Sequence, residues 1–273
     1  MIELNKIYNE NCLNTMSRMP NNFIDLTVTS PPYDNLRTYN GYDFDFESIV
    51  KELFRVTKKG GVVVWVVGDA TINGSETGTS FRQALYFKEI GFNLFDTMIY
   101  YKSGMPFPEA TRYNPMFEYM FIVSKGKTKT INLLTDKKNK YYGDKVAREN
   151  SQRQIDGSIL ENTSWKKDKS KKIKKYGIRD NIWYYSTGRG NSSEDKIAFQ
   201  HPAQFPEQLA ADHIYSWSNK SDLIYDPMAG SGTTIKMAHL LERNWIGSEI
   251  SADYCQIAEK RIKPYLMQQR LAL

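Results

Sequence analysis

The chain has 273 residues, 40% of them hydrophobic, and a net charge of +6; it is long enough to bury a sizeable core as one large domain, or as a core plus a smaller module. No run approaches the roughly 18 apolar residues of a membrane-spanning helix, and the opening MIELNKIYNEN lacks the apolar centre of an export signal, so a cytoplasmic protein without membrane attachment is expected. Cys12 and Cys255 have no CxxC spacing, and His201, His213 and His239 have no ligand spacing; buried free thiols and no metal site are expected.

The first stretch, to residue 124, alternates short apolar runs with helix-like segments. Lys6-Ile7-Tyr8 and Ile24 to Val28 read as strands, and Phe46 to Thr57 as an amphipathic helix closed by Lys58-Lys59-Gly60-Gly61, a basic last turn and a glycine stop. Val62 to Val67, VVVWVV, is apolar on both faces, as a central strand covered by helices must be. A helix over Ser80 to Ile90 ends at Gly91, and Phe95 to Tyr101 and Tyr119 to Val123 read as further strands. The second stretch, residues 125–190, loses apolar periodicity. Between Lys125 and Arg179 there are 17 Lys and Arg against 6 Asp and Glu, which leaves 20 against 25 in the rest of the chain. Aromatic residues interleave the charge: Tyr141, Tyr142, Trp165, Tyr176, Trp183, Tyr184 and Tyr185. On charge alone, a polyanion-binding surface and a solvated basic loop are equally open. The third stretch restores the pattern, with a helix from Pro206 to Trp217, a strand over Asp222 to Tyr225, a helix from Thr233 to Arg243, a strand from Trp245 to Ser248 and a helix from Ala252 to Ile262. The strand, glycine turn, helix and second strand make a βαβ unit.

In that unit the turn reads DPMAGSGTT, Asp226 to Thr234. Gly230 and Gly232 let backbone approach a ligand where a Cβ would clash, and the next helix offers N–H groups. No Lys-Ser/Thr pair follows, so it is not a P-loop, and the third glycine of the dinucleotide fingerprint is missing. Alone, a GxG is most often only a tight turn. Glu249, 17 residues after Gly232 and at the end of the next strand, suits an acid that accepts from both ribose hydroxyls; its plainer reading is an acid just before the helix at Ala252. Strand, glycines and acid in register point to a nucleoside-bearing cofactor.

The strand Ile24 to Val28 runs into Thr29-Ser30-Pro31-Pro32-Tyr33, and two adjacent prolines make a stiff, open elbow. Such an elbow suits a flat heterocycle with an exocyclic amine. Tyr33 would stack on the ring, while the Pro31 carbonyl and the Ser30 hydroxyl accept the amine hydrogens. Those bonds draw the nitrogen lone pair out of conjugation and strengthen as positive charge develops on nitrogen. By itself SPPY reads first as a turn with a packed tyrosine.

TSPPY followed much later by DPMAGSGTT and Glu249 closely resembles the amino-DNA methyltransferases, and the order of motifs, with a basic insert between them, is similar to their β group. The resemblance implies an α/β fold: a mostly parallel, seven-stranded, Rossmann-like methyltransferase sheet with an inserted target-recognition region. It divides the chain into a catalytic half (1–124), a basic target-recognition insert (125–190) and a cofactor-binding half (191–273). It implies S-adenosyl-L-methionine as cofactor, with Asp226, Pro227, Gly230, Ser231, Gly232, Thr233 and Thr234 around its methionine part and Glu249 on its ribose. Ser30, Pro31, Pro32 and Tyr33 would be the catalytic residues. HPAQFP, His201 to Pro206, resembles the motif shaping the cofactor pocket, with Phe205 as apolar wall; otherwise it is a proline-bounded helix start. Many relatives have Gly-Asp-Cys where this chain has Glu10-Asn11-Cys12, so Asn11 would make a neutral contact to the adenine amine. Asp69 reads as a pocket border or as a strand-end cap.

The reaction implied is direct methyl transfer to the exocyclic nitrogen of a base flipped out of double-stranded DNA, with the basic insert clamping phosphates and reading bases. Ser at the first motif position favours cytosine N4 over adenine N6. An RNA-base or protein-amide methyltransferase and an inactive DNA-binding relative are the remaining alternatives. A cognate restriction endonuclease and a homodimer are compatible with the resemblance.

Overall fold

A computed structural model describes residues 2–32, 44–103, 111–144, 151–161, 172–188, 190–201 and 206–267. The chain divides into two compact units, Met1–Asn132 with Asn181–Leu273, and Leu133–Asp180. The larger unit is built on strands β1 (Lys6–Tyr8), β2 (Ile24–Thr29), β3 (Thr57–Val67), β4 (Asn93–Lys102), β5 (Phe117–Ser124), β6 (Ile182–Tyr185), β7 (Leu223–Asp226) and β8 (Asn244–Ser248). They form one sheet in the order β1-β8-β7-β2-β3-β5-β4-β6. Only β5 runs against its neighbours; every other pairing is parallel. Helices α1 (Cys12–Ser17), α2 (Phe46–Val56) and α3 (Thr79–Ile90) form one layer, and α4 (Glu207–Trp217), α5 (Thr233–Leu240) and α6 (Ala252–Met267) another. Among the described residues no helix is long and apolar enough to cross a membrane.

The sheet has eight strands where seven were expected. The extra one, β6, lies inside the stretch expected to be insert, and the separate unit is accordingly narrower, Leu133–Asp180. Alternation explains the difference: Trp183 and Tyr185 are buried while Ile182 and Tyr184 are exposed. The Tyr185 hydroxyl donates to Asp212 Oδ2 at 2.6 Å, tying β6 to α4.

The central strand β3 is buried from Val62 to Val67, as a strand covered on both faces must be. Trp65 is wholly buried and donates its indole N–H to Gln83 Oε1 of α3 at 2.8 Å. In α2, Ile49, Val50, Leu53 and Val56 face the core, and Asp45 caps the helix by accepting from the Ser48 N–H at 3.1 Å. The expected glycine stop after α2 is corrected. The helix ends at Val56, and Thr57 is already extended. Residues 58–61 instead form a bulge in β3, because Ile24 pairs with Thr57 but Leu26 pairs with Val62. Gly60 takes φ +82°, and a Cβ on Gly61 would meet the Asp25 carbonyl oxygen at 2.9 Å. The glycines serve the bulge and its close approach to β2.

The smaller unit contains two antiparallel ribbons, Lys137–Lys138 with Tyr176–Gly177 and Ser151–Arg153 with Ile159–Glu161. Asp136 pairs with Arg179, and Asp180 with Lys137 at 2.6 Å. Lys140 and Lys175 lie over the rings of Tyr141 and Tyr176 at 5.5 and 5.4 Å.

Candidate active site

Strands β2 and β7 are parallel neighbours, with Leu26 opposite Ile224 and Thr27 opposite Tyr225. Both therefore leave the sheet at the same edge, and the loops that follow them carry the two motifs. The Thr29 hydroxyl donates to Asp226 Oδ1 at 2.8 Å, and the Thr234 hydroxyl donates to the Val28 carbonyl at 3.1 Å. Both threonines are wholly buried. The proline elbow and the glycine turn are thus stitched together by two hydrogen bonds. Ser30 and Pro32 are half-buried and Pro31 is buried. Tyr33 and Phe205 lie outside the described residues.

The turn after β7 is shaped by glycine where only glycine serves. Gly232 takes φ +79°, and a Cβ there would meet Ala258 Cβ at 2.9 Å. Gly230 takes φ +51°, with His201 Nε2 at 3.0 Å from where its Cβ would stand. Among the described residues no side chain caps α5, whose first residue is Thr233, so the first turn presents backbone N–H groups at the site. Pro227 is buried in the same turn.

Two buried carboxylates flank this turn. Glu249 Oε2 accepts from the Gly230 N–H and Oε1 from the Ser251 N–H, both at 2.8 Å, and the Glu249 N–H donates to the Tyr8 carbonyl at 3.0 Å. Burial pushes the Glu249 carboxyl above its ordinary range. Burial likewise pushes Asp226 up to about 6, and the charge of Glu249 adds to it, against the hydrogen bonds from Thr29 and the Met228 N–H. Among the described residues neither carboxylate has an ion-pair partner. A carboxylate has about four lone-pair sites, so acceptor capacity remains on both. Hydroxyl or ammonium donors on a ligand, together with a carboxylate for the N–H groups of α5, would complete this set. S-adenosylmethionine carries all three, so the residues fit it.

The amino end of α1 lies near the same groups. Cys12 is pushed up to about 12 by burial, with the charges of Asp226 and Glu249 adding to the effect. Asn11 caps α1 by accepting from the Leu13 N–H at 2.9 Å; its amide oxygen already serves the helix and has one lone pair left for a ligand. Asp69 acts as a cap: it accepts from the Ser80 N–H at 2.8 Å and the Ser80 hydroxyl at 2.5 Å at the start of α3.

An ionic cluster behind the turn was not foreseen. Arg261 is 3% exposed; its Nη1 donates to the Ser231 carbonyl at 3.0 Å and to the Thr233 hydroxyl at 3.0 Å, and its Nε donates to Asp195 Oδ2 at 2.8 Å. Arg261 also pairs with Glu207. Lys236 donates to Asp195 at 2.7 Å and to Glu207 at 2.9 Å. Burial alone would push Asp195 and Glu207 up, but the hydrogen bonds from the two cations outweigh it and hold both below the usual carboxylate range. The one sequence signal was a pair of basic residues on helix faces that are otherwise apolar, Lys236 beside Ile235 and Arg261 three residues after Ala258. His201, the first residue of HPAQFP, packs beside Gly230 and meets the Tyr254 ring edge-on at 4.3 Å.

The model of the DNA methylase family, N6/N4 type, matches residues 24–260. The orphan methyltransferase M.BamHII of Bacillus amyloliquefaciens is 60% identical over 244 residues, covering 89% of this chain and 90% of its own. The Type II methyltransferase M.BglII of Bacillus subtilis is 27% identical over 267 residues, covering 93% and 68%. Among solved structures, the cytosine-N4-specific PvuII DNA methyltransferase superposes with a TM-score of 0.66 at 19% identity, over 98% of this chain and 88% of that one. The TTHA0409 protein of Thermus thermophilus, crystallised with S-adenosyl-L-methionine, gives 0.62 at 22% identity, over 96% of each. With two motif loops bound to one another at one sheet edge and the family match spanning both, this chain belongs to the DNA methylase family, as an amino-methyltransferase of the β group.

Proposed function

We propose that the protein transfers a methyl group from S-adenosylmethionine to the exocyclic N4 of a cytosine flipped out of double-stranded DNA. The observation that carries this reading is the Thr29–Asp226 hydrogen bond of 2.8 Å, which joins the elbow suited to a base amine to the turn suited to the cofactor. The bound cofactor supplies an electrophilic methyl carbon on a sulfonium. Glu249 holds the ribose hydroxyls, the start of α5 takes the carboxylate, and Asp226 accepts from the ammonium. Ser30 and the Pro31 carbonyl accept from the base amine and orient its lone pair, and Tyr33 stacks on the ring. Ser30 is neutral, so it positions the amine and gains most as charge develops on nitrogen. Both thiols are pushed up by burial, Cys12 to about 12 and Cys255 to about 11; such thiols stay protonated at neutral pH, which suits direct transfer without a covalent enzyme intermediate.

Cytosine N4 is preferred because Ser, rather than Asp, opens the SPPY motif. The basic stretch 125–190, with the unit Leu133–Asp180 at its centre, supplies the target-recognition surface, its lysines on phosphates. The 60%-identical relative is named an orphan methyltransferase, which favours action without a paired nuclease over a restriction partnership. The test is digestion of DNA methylated by the purified protein to nucleosides for mass spectrometry. N4-methylcytosine is expected; N6-methyladenine alone would overturn the base assignment. Ser30→Ala and Tyr33→Ala should lower methyl transfer at least tenfold with DNA binding retained, and unchanged turnover in both would refute the mechanism.

A further inference from the structure

Arg261 divides its donors between two sets of acceptors. Its Nε donates to Asp195 Oδ2 at 2.8 Å, and its Nη2 donates to Glu207 and to the Ser193 hydroxyl, the latter at 3.1 Å. Lys236 binds the same two carboxylates, so the cluster joins two cations to two anions and carries no net charge. Nη1 is spent differently. It faces the glycine turn and donates to the Ser231 carbonyl at 3.0 Å, the Ser231 hydroxyl at 3.2 Å and the Thr233 hydroxyl at 3.0 Å. Pairing with the two carboxylates does not require this third set of bonds.

Thr233 is 4% exposed and is the first residue of α5. A guanidinium has donors and no acceptor, so the Thr233 hydroxyl accepts on the side that faces Arg261 and its own proton is turned away. Among the described residues the bond from Arg261 is the only one this hydroxyl makes. Its donor half is therefore unspent, and a buried donor calls for an acceptor. Next to it are the backbone N–H groups of the first turn of α5, which no side chain caps among the described residues. A hydroxyl proton and these N–H groups together suit a group with two anionic oxygens.

We propose that Arg261 is a positioning residue for the cofactor: by donating to the Thr233 hydroxyl from behind, it fixes that hydroxyl as a donor to the carboxylate of S-adenosylmethionine. This rests on the reading that the start of α5 takes that carboxylate. Because the cluster around Arg261 is neutral, what Arg261 supplies is direction rather than a net field. Lysine at this position would keep the charge and lose the planar fork that reaches both the carboxylates and the turn.

Equilibrium dialysis with two probes tests it, S-adenosylmethionine and decarboxylated S-adenosylmethionine. The wild type is expected to bind the first about tenfold tighter or more. In Arg261→Lys that preference is expected to fall by about fivefold or more, and in Thr233→Val by a similar factor, while Thr233→Ser keeps it. Adding Thr233→Val to Arg261→Lys should lower the preference no further, since both changes break one interaction. A general loosening of the fold weakens both probes alike and leaves their ratio unchanged, so the ratio separates positioning from stability. Circular dichroism at the dialysis temperature identifies the folded variants. If Arg261→Lys does not fold, the Thr233 pair decides: loss of the preference in Thr233→Val with retention in Thr233→Ser supports the assignment. A folded Arg261→Lys with the wild-type preference overturns it and leaves the carboxylate reading standing, and a wild-type preference in Thr233→Val overturns it as well. A wild-type protein that does not distinguish the two probes overturns the carboxylate reading itself, and the role of Arg261 with it.

Discussion

Asp226→Asn separates what the buried carboxylate costs the fold from what it gives the site. Asp226 is 2% exposed, and burial moves it from 3.8 to about 6. Between those values the unfolded chain has released this proton while the folded chain keeps it. Stability from this group is therefore fully present below about pH 4, falls as pH rises through 6, and is lost above that. The difference amounts to about 3 kcal/mol at neutral pH and beyond. Asparagine keeps the shape and an oxygen for the Thr29 hydroxyl and the Met228 N–H, now bound at 2.8 and 3.1 Å. Its amide N–H can donate to the Thr234 hydroxyl, which itself donates to Val28. In urea titrations without ligand, the variant should be more stable than the wild type by about 3 kcal/mol at pH 8, with the gain vanishing near pH 4. Its affinity for S-adenosylmethionine, read by calorimetry, should fall, because an ammonium then meets an amide instead of a carboxylate. A variant no more stable than wild type at pH 8, or a gain that is the same at pH 4, would refute the reasoning.

Glu249→Gln should keep the far-ultraviolet spectrum but weaken S-adenosylmethionine tenfold or more in equilibrium dialysis, about 1.4 kcal/mol, as an acceptor becomes a donor. Gly232→Ala should lower stability more than Gly126→Ala. Both positions have φ near +80°, at +79° and +77°, but only at 232 would the new methyl meet a neighbour, Ala258 Cβ at 2.9 Å; thermal melts of the pair isolate the packing contribution from the cost of about 1–2 kcal/mol for the left-handed conformation. Arg261→Met removes one of the two cations, Arg261 and Lys236, that pair with Asp195 and Glu207 and should cost about 3–5 kcal/mol in urea titrations. Both carboxylates are held below their usual range, so that deficit should persist above pH 5 and shrink as pH falls through their depressed values.

The strands and helices of the large unit were legible because each buries a face with its own period. VVVWVV reads as a two-faced central strand, and Ile49, Val50, Leu53 and Val56 as one stripe of a helix. Less legible was β6, where four residues that pair with β4 stand soon after a run dominated by lysine; composition over a long window hid a short alternation. Gly60 and Gly61 were misread because a glycine pair after a helix ordinarily stops it, and only the neighbouring strand reveals the bulge. In the candidate site, the turn holding Asp226, Gly230 and Gly232 and the strand end at Glu249 were legible because turn chemistry is local. The cluster of Asp195, Glu207, Lys236 and Arg261 was not. Its members come from four separate segments, and no spacing rule connects charges that meet only after helices pack.

The position of the site follows from how the sheet reverses direction. From β7 the chain crosses through α5 to β8 on one side, and from β2 it crosses through α2 to β3 on the other. Where adjacent parallel strands send their connections to opposite sides, the loops at their carboxyl ends part and leave a crevice. Here those two loops are the proline elbow and the glycine turn. The elbow resists collapse, since two prolines fix their own φ and donate nothing to a neighbouring backbone. On the opposite wall, Arg261 fixes the turn from behind by taking the Ser231 carbonyl and the Thr233 hydroxyl, which leaves the front of the turn to a ligand. Motifs that stand at opposite ends of the chain are therefore brought side by side through strand adjacency. The same adjacency would survive a circular permutation that reversed their order, provided β2 still pairs with β7.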